Sequence, residues 1–301
     1  MSEPKVVIGL PVYNGQKYVS AAIDSHLSQS FGDFSLVISD NGSTDATQQI
    51  CEDYAKKDKR VKYFRSPVNR GILWNHRRVM EGIESPKQYF RWAAGDDIME
   101  QGLLQAMVDV LDTRPEVEAV APDTKNIDVE GKIIGTMERK LDLQSTDPCS
   151  RANDVLFGGF QMVIAFGLFR AATLQAMRTR PDYLGWDFVF VWELALRGQM
   201  VQPHGPVLLR RFHPGAMSTV KTAKEMKKWV EPNAKAGLNF PHWTWTYERV
   251  RSLLAAPLSG RDKLRISRLI ARDIRWQRAT LSRDVTQAAR RALGLSDEYT
   301  F

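Results

Sequence analysis

The sequence predicts an α/β fold: a mostly parallel central sheet flanked by helices, with a basic helical C-terminal extension. Three observations carry that reading. Apolar strand-like runs alternate with helix-period runs through the first 120 residues. Three polar stretches, Pro11-Val12-Tyr13-Asn14-Gly15, Asp40-Asn41-Gly42-Ser43-Thr44-Asp45 and Gly95-Asp96-Asp97, each directly follow a strand-like run. From about residue 220 the pattern is helical to the end. In an open α/β sheet ligands bind at the carboxyl ends of the strands, so the three loops mark where a site belongs.

In chain order, Lys5–Leu10 reads as a strand and Gln16–Gln29 as a helix with its apolar residues on one side. Phe34–Ser39 is the second strand. Asp45, with Gln48 three residues on, has the form of a capping box for a helix to about Lys57. Val61–Arg65, Tyr89–Ala94 and Val117–Ala121 are further strands, and Ile72–Ile83 and Leu103–Thr113 are helices, the latter stopped by Pro115. βαβ units at this spacing imply a parallel sheet. Beyond Pro122 the rhythm changes. Asn126–Gly135 reads as a hairpin turning at Glu130-Gly131, Val163–Phe169 as a strand, Trp186–Arg197 as a helix and Val207–Phe212 as a last strand. Pro232, Pro241 and Pro257 divide the helical remainder.

At 301 residues, 43% apolar and 26% charged, the composition is that of an ordinary soluble globular protein with one large domain or a domain plus an appendage. No apolar run approaches the roughly 20 residues of a membrane span. No basic-then-apolar leader precedes the first strand, and Cys51 and Cys149 have neither metal-ligand spacing nor company enough for a disulfide framework. The expectation is a cytoplasmic protein. Residues 220–301 carry 17 Lys/Arg against 8 Asp/Glu and the rest 25 against 27, so the net charge of +7 belongs to the C-terminal segment. A whole-protein nucleic-acid binder is therefore not indicated.

Asn41-Gly42 and Asp45 are accounted for by a turn and a helix cap. Asp40 is not: a carboxylate ending a buried strand needs a partner. It can accept the N–H of a pyrimidine, with Tyr13 packing on the ring's face, and on residues alone the structural and ligand readings of this loop stand level. Asp96 and Asp97 close an interior strand, where two adjacent carboxylates repel unless a cation joins them. A hard divalent metal, Mn²⁺ or Mg²⁺, takes such oxygen ligands and would neutralise a departing diphosphate. The rival is a cap on the helix starting near Gln101, but capping needs one acid rather than two.

With these motifs, and with Asn69-Arg70-Gly71, Gly185-Trp186-Asp187 and Arg211-Phe212-His213, the chain resembles the family-2 glycosyltransferases over roughly residues 5–220. The resemblance implies the GT-A (Rossmann-like) fold, with residues 1–122 as a nucleotide-sugar-binding half, 123–220 as an acceptor-side half, and 221–301 as a separate helical segment. It implies sugar transfer with inversion from a nucleotide diphosphate. Pro11, Tyr13, Asn14, Asp40, Asn69, Arg77 and Asp96 are then expected at the nucleotide, and Asp96, Asp97 and His213 at the metal. The chain departs from the family pattern at Ala94, where many members have an Asp, and at Asn75-His76-Arg77, where many read Ala-Arg-Asn. The second departure leaves Arg70, Arg77 and Arg78 as candidates for the diphosphate. Asp187 is the expected base that takes the acceptor hydroxyl's proton. Its place at a helix N-terminus suits an ionised carboxylate at neutral pH; by position alone it would be only a cap. Glu193 is set aside because Arg197, four residues on, pairs with it.

Between Arg261 and Arg291 there are ten Lys/Arg against three Asp, with a stripe of Ile266, Ile270, Ile274, Leu281, Val285 and Ala288. The plainer reading is a helix docked on the catalytic domain; the sharper is peripheral contact with the inner face of a membrane, where lipid-linked acceptors lie. Trp243, Trp245 and Tyr247 fit a sugar platform, an interfacial anchor or core. The expected partners are a nucleotide-diphospho-sugar and a saccharide or lipid-linked saccharide, with no nucleic acid, and the expected role is in cell-envelope polysaccharide or glycolipid synthesis. The alternatives are a sugar-1-phosphate nucleotidyltransferase, which needs a Gly-rich basic loop that is missing here, and a non-catalytic membrane or nucleic-acid binder acting through the basic tail.

Overall fold

The computed structural model describes residues 3–136, 143–159, 165–216, 229–230 and 240–293. The elements are β1 (Val6–Val12), α1 (Val19–Leu27), β2 (Phe34–Asp40), α2 (Thr47–Lys57), β3 (Val61–Arg65), α3 (Ile72–Met80), β4 (Tyr89–Trp92), β5 (Ile98–Met99), α4 (Leu103–Thr113), β6 (Val117–Val120), β7 (Asp123–Ile127), β8 (Ile133–Thr136), α5 (Pro148–Phe157), β9 (Leu168–Arg170), α6 (Ala171–Ala176), α7 (Trp186–Arg197), β10 (Gln199–Val201) and β11 (Val207–Arg211). Three helices follow: α8 (Pro241–Ala255), α9 (Gly260–Trp276) and α10 (Arg278–Ala292).

The main sheet has the order β10-β6-β9-β4-β1-β2-β3. All its pairings are parallel except those of β9, which runs against β4 and β6. β1 and β2 are interior strands and are buried almost throughout, as strands covered on both faces must be. Alternation divides the core. Val6, Ile8 and Leu10 pack with α1 and α4 through Ile23, Met107 and Leu111. Val7 points the other way, into a cluster with Phe90, Trp92, Phe169, Trp186 and Phe190. The aromatic rings there meet largely edge to face, Trp92 to Phe190 at 5.5 Å and Phe169 to Phe190 at 5.1 Å.

A second sheet, β5-β11-β7-β8, stands at the carboxyl edge of the first. Its β7–β8 hairpin turns through Asp128–Lys132, with Gly131 at φ 89°, as the Glu130-Gly131 signal implied. β5 follows Asp96-Asp97 directly and pairs antiparallel with β11, which brings the acidic pair against Arg211 and His213. Neither β5 nor β10 was expected from sequence. The Val163–Phe169 strand reduces to Leu168–Arg170, and Val163 and Ile164 fall outside the described residues.

The C-terminal helices dock on the catalytic core. Leu253, Ala256, Ile266 and Ile270 are buried with Ala152, Val189, Trp192 and Leu196 of α5 and α7. Arg249 pairs with buried Asp273 at 3.0 Å, and Arg265 with Asp147 at 2.8 Å. Of the apolar stripe, Ile266, Ile270, Leu281 and Ala288 are buried, whereas Val285 is exposed. Among the described residues no helix is long and apolar enough to cross a membrane.

Candidate active site

At the carboxyl ends of β1, β4 and β11 lies a cavity of about 840 Å³. Its wall holds residues from all three motif loops, including Tyr13, Asn41 and Asp96, and closes with Arg210, His213 and Trp229.

The first two loops are tied to each other by hydrogen bonds. The Asn14 N–H donates to Ser43 Oγ at 2.9 Å, the Gly15 N–H to Thr47 Oγ1 at 2.8 Å, and the Thr44 N–H to Asn14 Oδ1 at 2.9 Å. Asn14 holds this position at φ 50°. Asp45 does not form a capping box. It accepts from the Thr47 N–H and hydroxyl and from the Gln16 N–H, while Gln48 donates to Glu52. Standing outside the helix, Asp45 secures the α1 approach instead. Asn41 crosses to the loop between β3 and α3, donating to Asn69 Oδ1 at 2.9 Å and Gly71 O at 3.0 Å. Gly42, at φ 77°, lets the Val68 backbone pass where a Cβ would meet it at 2.8 Å.

Asp40 is fully buried and does not line the cavity. Its Oδ1 accepts from the Ser43 N–H and its Oδ2 from the Tyr63 hydroxyl, both at 2.8 Å, with Arg65 Nε at 3.6 Å. The partner that a buried carboxylate requires is therefore supplied by the protein. Tyr13 is 42% exposed in the cavity wall, with its ring face available.

Asp96 and Asp97 separate in environment. Asp97 is buried, accepts the Arg211 N–H at 2.9 Å, and is pushed well above the carboxylate range by that burial and by the Asp96 charge. Asp96 is partly exposed, with Oδ2 2.9 Å from His213 Nε2. The Gly215 N–H donates to His213 Nδ1 at 3.2 Å, so in the neutral ring Nε2 carries the proton and donates to Asp96. Neither acid caps α4, whose N-cap is Gly102 beyond β5. Among the described residues no three His, Cys, Asp or Glu side chains converge as metal ligands.

The basic residues sort unexpectedly. Arg77 pairs with Asp182 at 2.6 Å, Arg78 with Glu81, and Arg70 lies over Trp74; none lines the cavity. Arg211 is buried and spends its guanidinium on the carbonyls of Asp96, Asp128 and Val129, over the Tyr18 ring. Beside Arg211, the cations in the wall are Lys17 and Arg210, which sequence reasoning missed, although Lys17 stands only two residues past Gly15. Asn75 and His76 were also missed as site residues. Asn75 donates to Val12 O and Ser39 O, holding β1 and β2 at the cavity floor. His76 Nδ1 bonds to Ile72 O at 3.0 Å, so Nε2 is left as an acceptor, and burial lowers its pKa.

Asp187 sits in the first turn of α7, whose N-cap Gly185 has φ 75°. It is not among the residues lining the cavity; its neighbour Trp186 packs 6.4 Å from the His76 ring in the wall. The expected preference for the ionised form is reversed: burial raises its pKa and outweighs the hydrogen bonds from its own and the Phe188 N–H. Glu193 does pair with Arg197, at 3.1 Å, but it is fully buried and also accepts from Arg178 N, Thr179 N and the Thr179 hydroxyl. That network anchors the loop leading to α7. Trp245, on α8, covers Gly185 and donates to Leu184 O at 2.7 Å, which makes it core; Trp243 and Tyr247 remain 42% and 59% exposed.

Residues 7–170 match the sequence model of Glycosyl transferase family 2. The chain belongs to that family. The chain is 28% identical over 244 residues to an uncharacterised glycosyltransferase of Haemophilus influenzae, covering 75% of this chain and 72% of that one. A second H. influenzae glycosyltransferase is 42% identical over 111 residues, 37% of this chain and 44% of the relative. The chain spans less than half the length of several of the relatives it matches. Its fold is that of Staphylococcus aureus TarS, solved with UDP-GlcNAc, at a TM-score of 0.63 and 16% identity over 90% of this chain and 72% of that one. The mannosyltransferase PcManGT of Pyrobaculum calidifontis, solved with GDP-Man and Mn²⁺, gives 0.53 and 14% over 97% and 88%.

Proposed function

We propose that this glycosyltransferase is metal-dependent and inverting, moving a sugar from a nucleotide diphosphate to a hydroxyl of a saccharide or lipid-linked saccharide in cell-envelope polysaccharide or glycolipid synthesis at the cytoplasmic side. The observation that carries the reading is the Asp96–His213 pair, a carboxylate and an imidazole 2.9 Å apart in the wall of the cavity that Tyr13, Lys17 and Arg210 also line.

Tyr13 offers its ring to the base, and Lys17 and Arg210 face the diphosphate. Pro11, Asn14 and Asn69 shape the loops around it. Asp40 acts from beneath, fixing the turn at Ser43 on which the base rests, and reaches the base edge itself only where Tyr63 or Arg65 yields. Asp96 and His213 would hold the cation, and their oxygen and nitrogen donors suit Mn²⁺ better than the all-oxygen preference of Mg²⁺. His213 would hold the cation through Nε2, with its ring proton then on Nδ1 in place of the contact from the Gly215 N–H. Bound, the cation would neutralise charge on the leaving diphosphate. Asp97 supports this pair from below by holding the Arg211 N–H. Asp187 takes the acceptor hydroxyl's proton as that oxygen bonds to the anomeric carbon and the bond to the diphosphate oxygen breaks; its raised pKa makes it the stronger base.

A nucleotidyltransferase would need the backbone N–H groups after β1 free to cradle a triphosphate. Those of Asn14 and Gly15 are committed to Ser43 and Thr47. The test is a panel of UDP-, dTDP- and GDP-sugars with saccharide acceptors, the product's anomeric configuration being read by NMR. Transfer with inversion is the expected result. Retention, or release of pyrophosphate from a sugar 1-phosphate and a nucleoside triphosphate, would overturn it.

A further inference from the structure

α9 segregates its charges. Its acids are satisfied: Asp273 is buried against Arg249, and Asp262, half-buried at the N-terminus where Ser259 Oγ caps its N–H, pairs with Arg265. At 100° per residue, Arg261, Leu264, Arg268, Arg272, Arg275 and Trp276 fall within an arc of roughly 120°, which they share with Arg265, paired with Asp147 and Asp262. All six are exposed, with Trp276 82% and Leu264 57% accessible. Among the described residues none of the four arginines makes an ion pair; Arg272 donates to Asn153 and lies over Phe157. The opposite face, through Ile266 and Ile270, is the one docked on α5 and α7. The result is a face about 22 Å long with four arginines outside any ion pair among the described residues and large apolar side chains toward both ends.

A docked helix needs no tryptophan left four-fifths in water, and a polyphosphate such as nucleic acid would leave Trp276 and Leu264 hydrated. An anionic bilayer takes both classes at once, the guanidinium groups at its headgroups and the indole and leucine at the acyl boundary. We propose that this face of α9 seats the protein on an anionic lipid surface. The inference goes beyond the transfer chemistry and stands or falls apart from it, because none of these side chains lines the cavity.

The experiment is co-sedimentation of the full chain with phosphatidylcholine vesicles, with and without phosphatidylglycerol, at low and high salt. Binding should require phosphatidylglycerol and weaken with salt. Arg268→Gln/Arg275→Gln should lower the partition coefficient on the order of thirtyfold, and Leu264→Ser/Trp276→Ser should also reduce it. Unchanged melting and nucleotide binding in both variants separate this surface from the active site. Sedimentation independent of phosphatidylglycerol, no vesicle binding, wild-type binding in both variants, or capture by DNA or a second copy of the chain in place of vesicles would each overturn the proposal.

Discussion

Gly185 is where the C-terminal helices meet the proposed catalytic base. It holds φ 75°, and a Cβ there would stand 2.4 Å from the Trp245 indole. Gly185→Ala therefore incurs about 1–2 kcal/mol for a left-handed non-glycine residue and about 1–3 kcal/mol of overpacking. The indole is not free to retreat, since it donates to Leu184 O and packs on Phe188 at 5.2 Å. The total, about 2–5 kcal/mol, lowers Tm by roughly 3–8 °C for a chain of this size. In a Trp245→Leu background the overpacking disappears and only the backbone cost remains, so a double-mutant cycle by thermal unfolding should show coupling of about 1–3 kcal/mol. Displacing the α7 N-terminus should also reduce sugar transfer more than nucleotide binding. An unchanged Tm, or the same loss in both backgrounds, would refute this account of the junction.

Asp187→Asn should abolish transfer while sparing nucleotide binding. The folded-state pKa of Asp187 is raised by burial, so its charge opposes folding at neutral pH, and the Asn variant should melt at the same or a higher temperature. By the same sign, wild-type turnover should fall with decreasing pH at a midpoint above the ordinary carboxylate range; a normal midpoint or an active Asn variant removes Asp187 from the mechanism. Tyr13→Ala, at a 42% exposed position, should leave stability unchanged and weaken nucleotide binding by about tenfold or more, the value of one base–aromatic stack. Calorimetry with equal affinities for wild type and variant would show that the ring does not meet the base.

The five parallel strands β1, β2, β3, β4 and β6 and their helices were legible because each is long enough to display its pattern: α4 and α7 begin and end at the residues that the pattern marks. β5 and β10 were not, since they have two residues and three, too few for any alternation to show. In the second sheet β11 pairs with β7 across some eighty residues of chain and with β5 across more than a hundred. The β5 pairing brings His213 to Asp96, a contact carried in sequence only by the family motif. The acidic pair and Tyr13 could be placed because local strand ends position them. Arg77 could not, because whether an arginine meets a phosphate or Asp182 depends on a loop more than a hundred residues away. Position at a helix N-terminus suggested an ionised Asp187, but the packing that buries it belongs to tertiary structure.

The most direct measurement is calorimetric titration of UDP, dTDP and GDP, with and without Mn²⁺, into wild type, Asp96→Ala and His213→Ala. One nucleotide should bind the wild type in a Mn²⁺-dependent manner, and each substitution should remove the dependence on Mn²⁺. Metal-dependent binding that survives both substitutions, or no nucleotide binding by the wild type, would contradict the assignment of this cavity as the donor site.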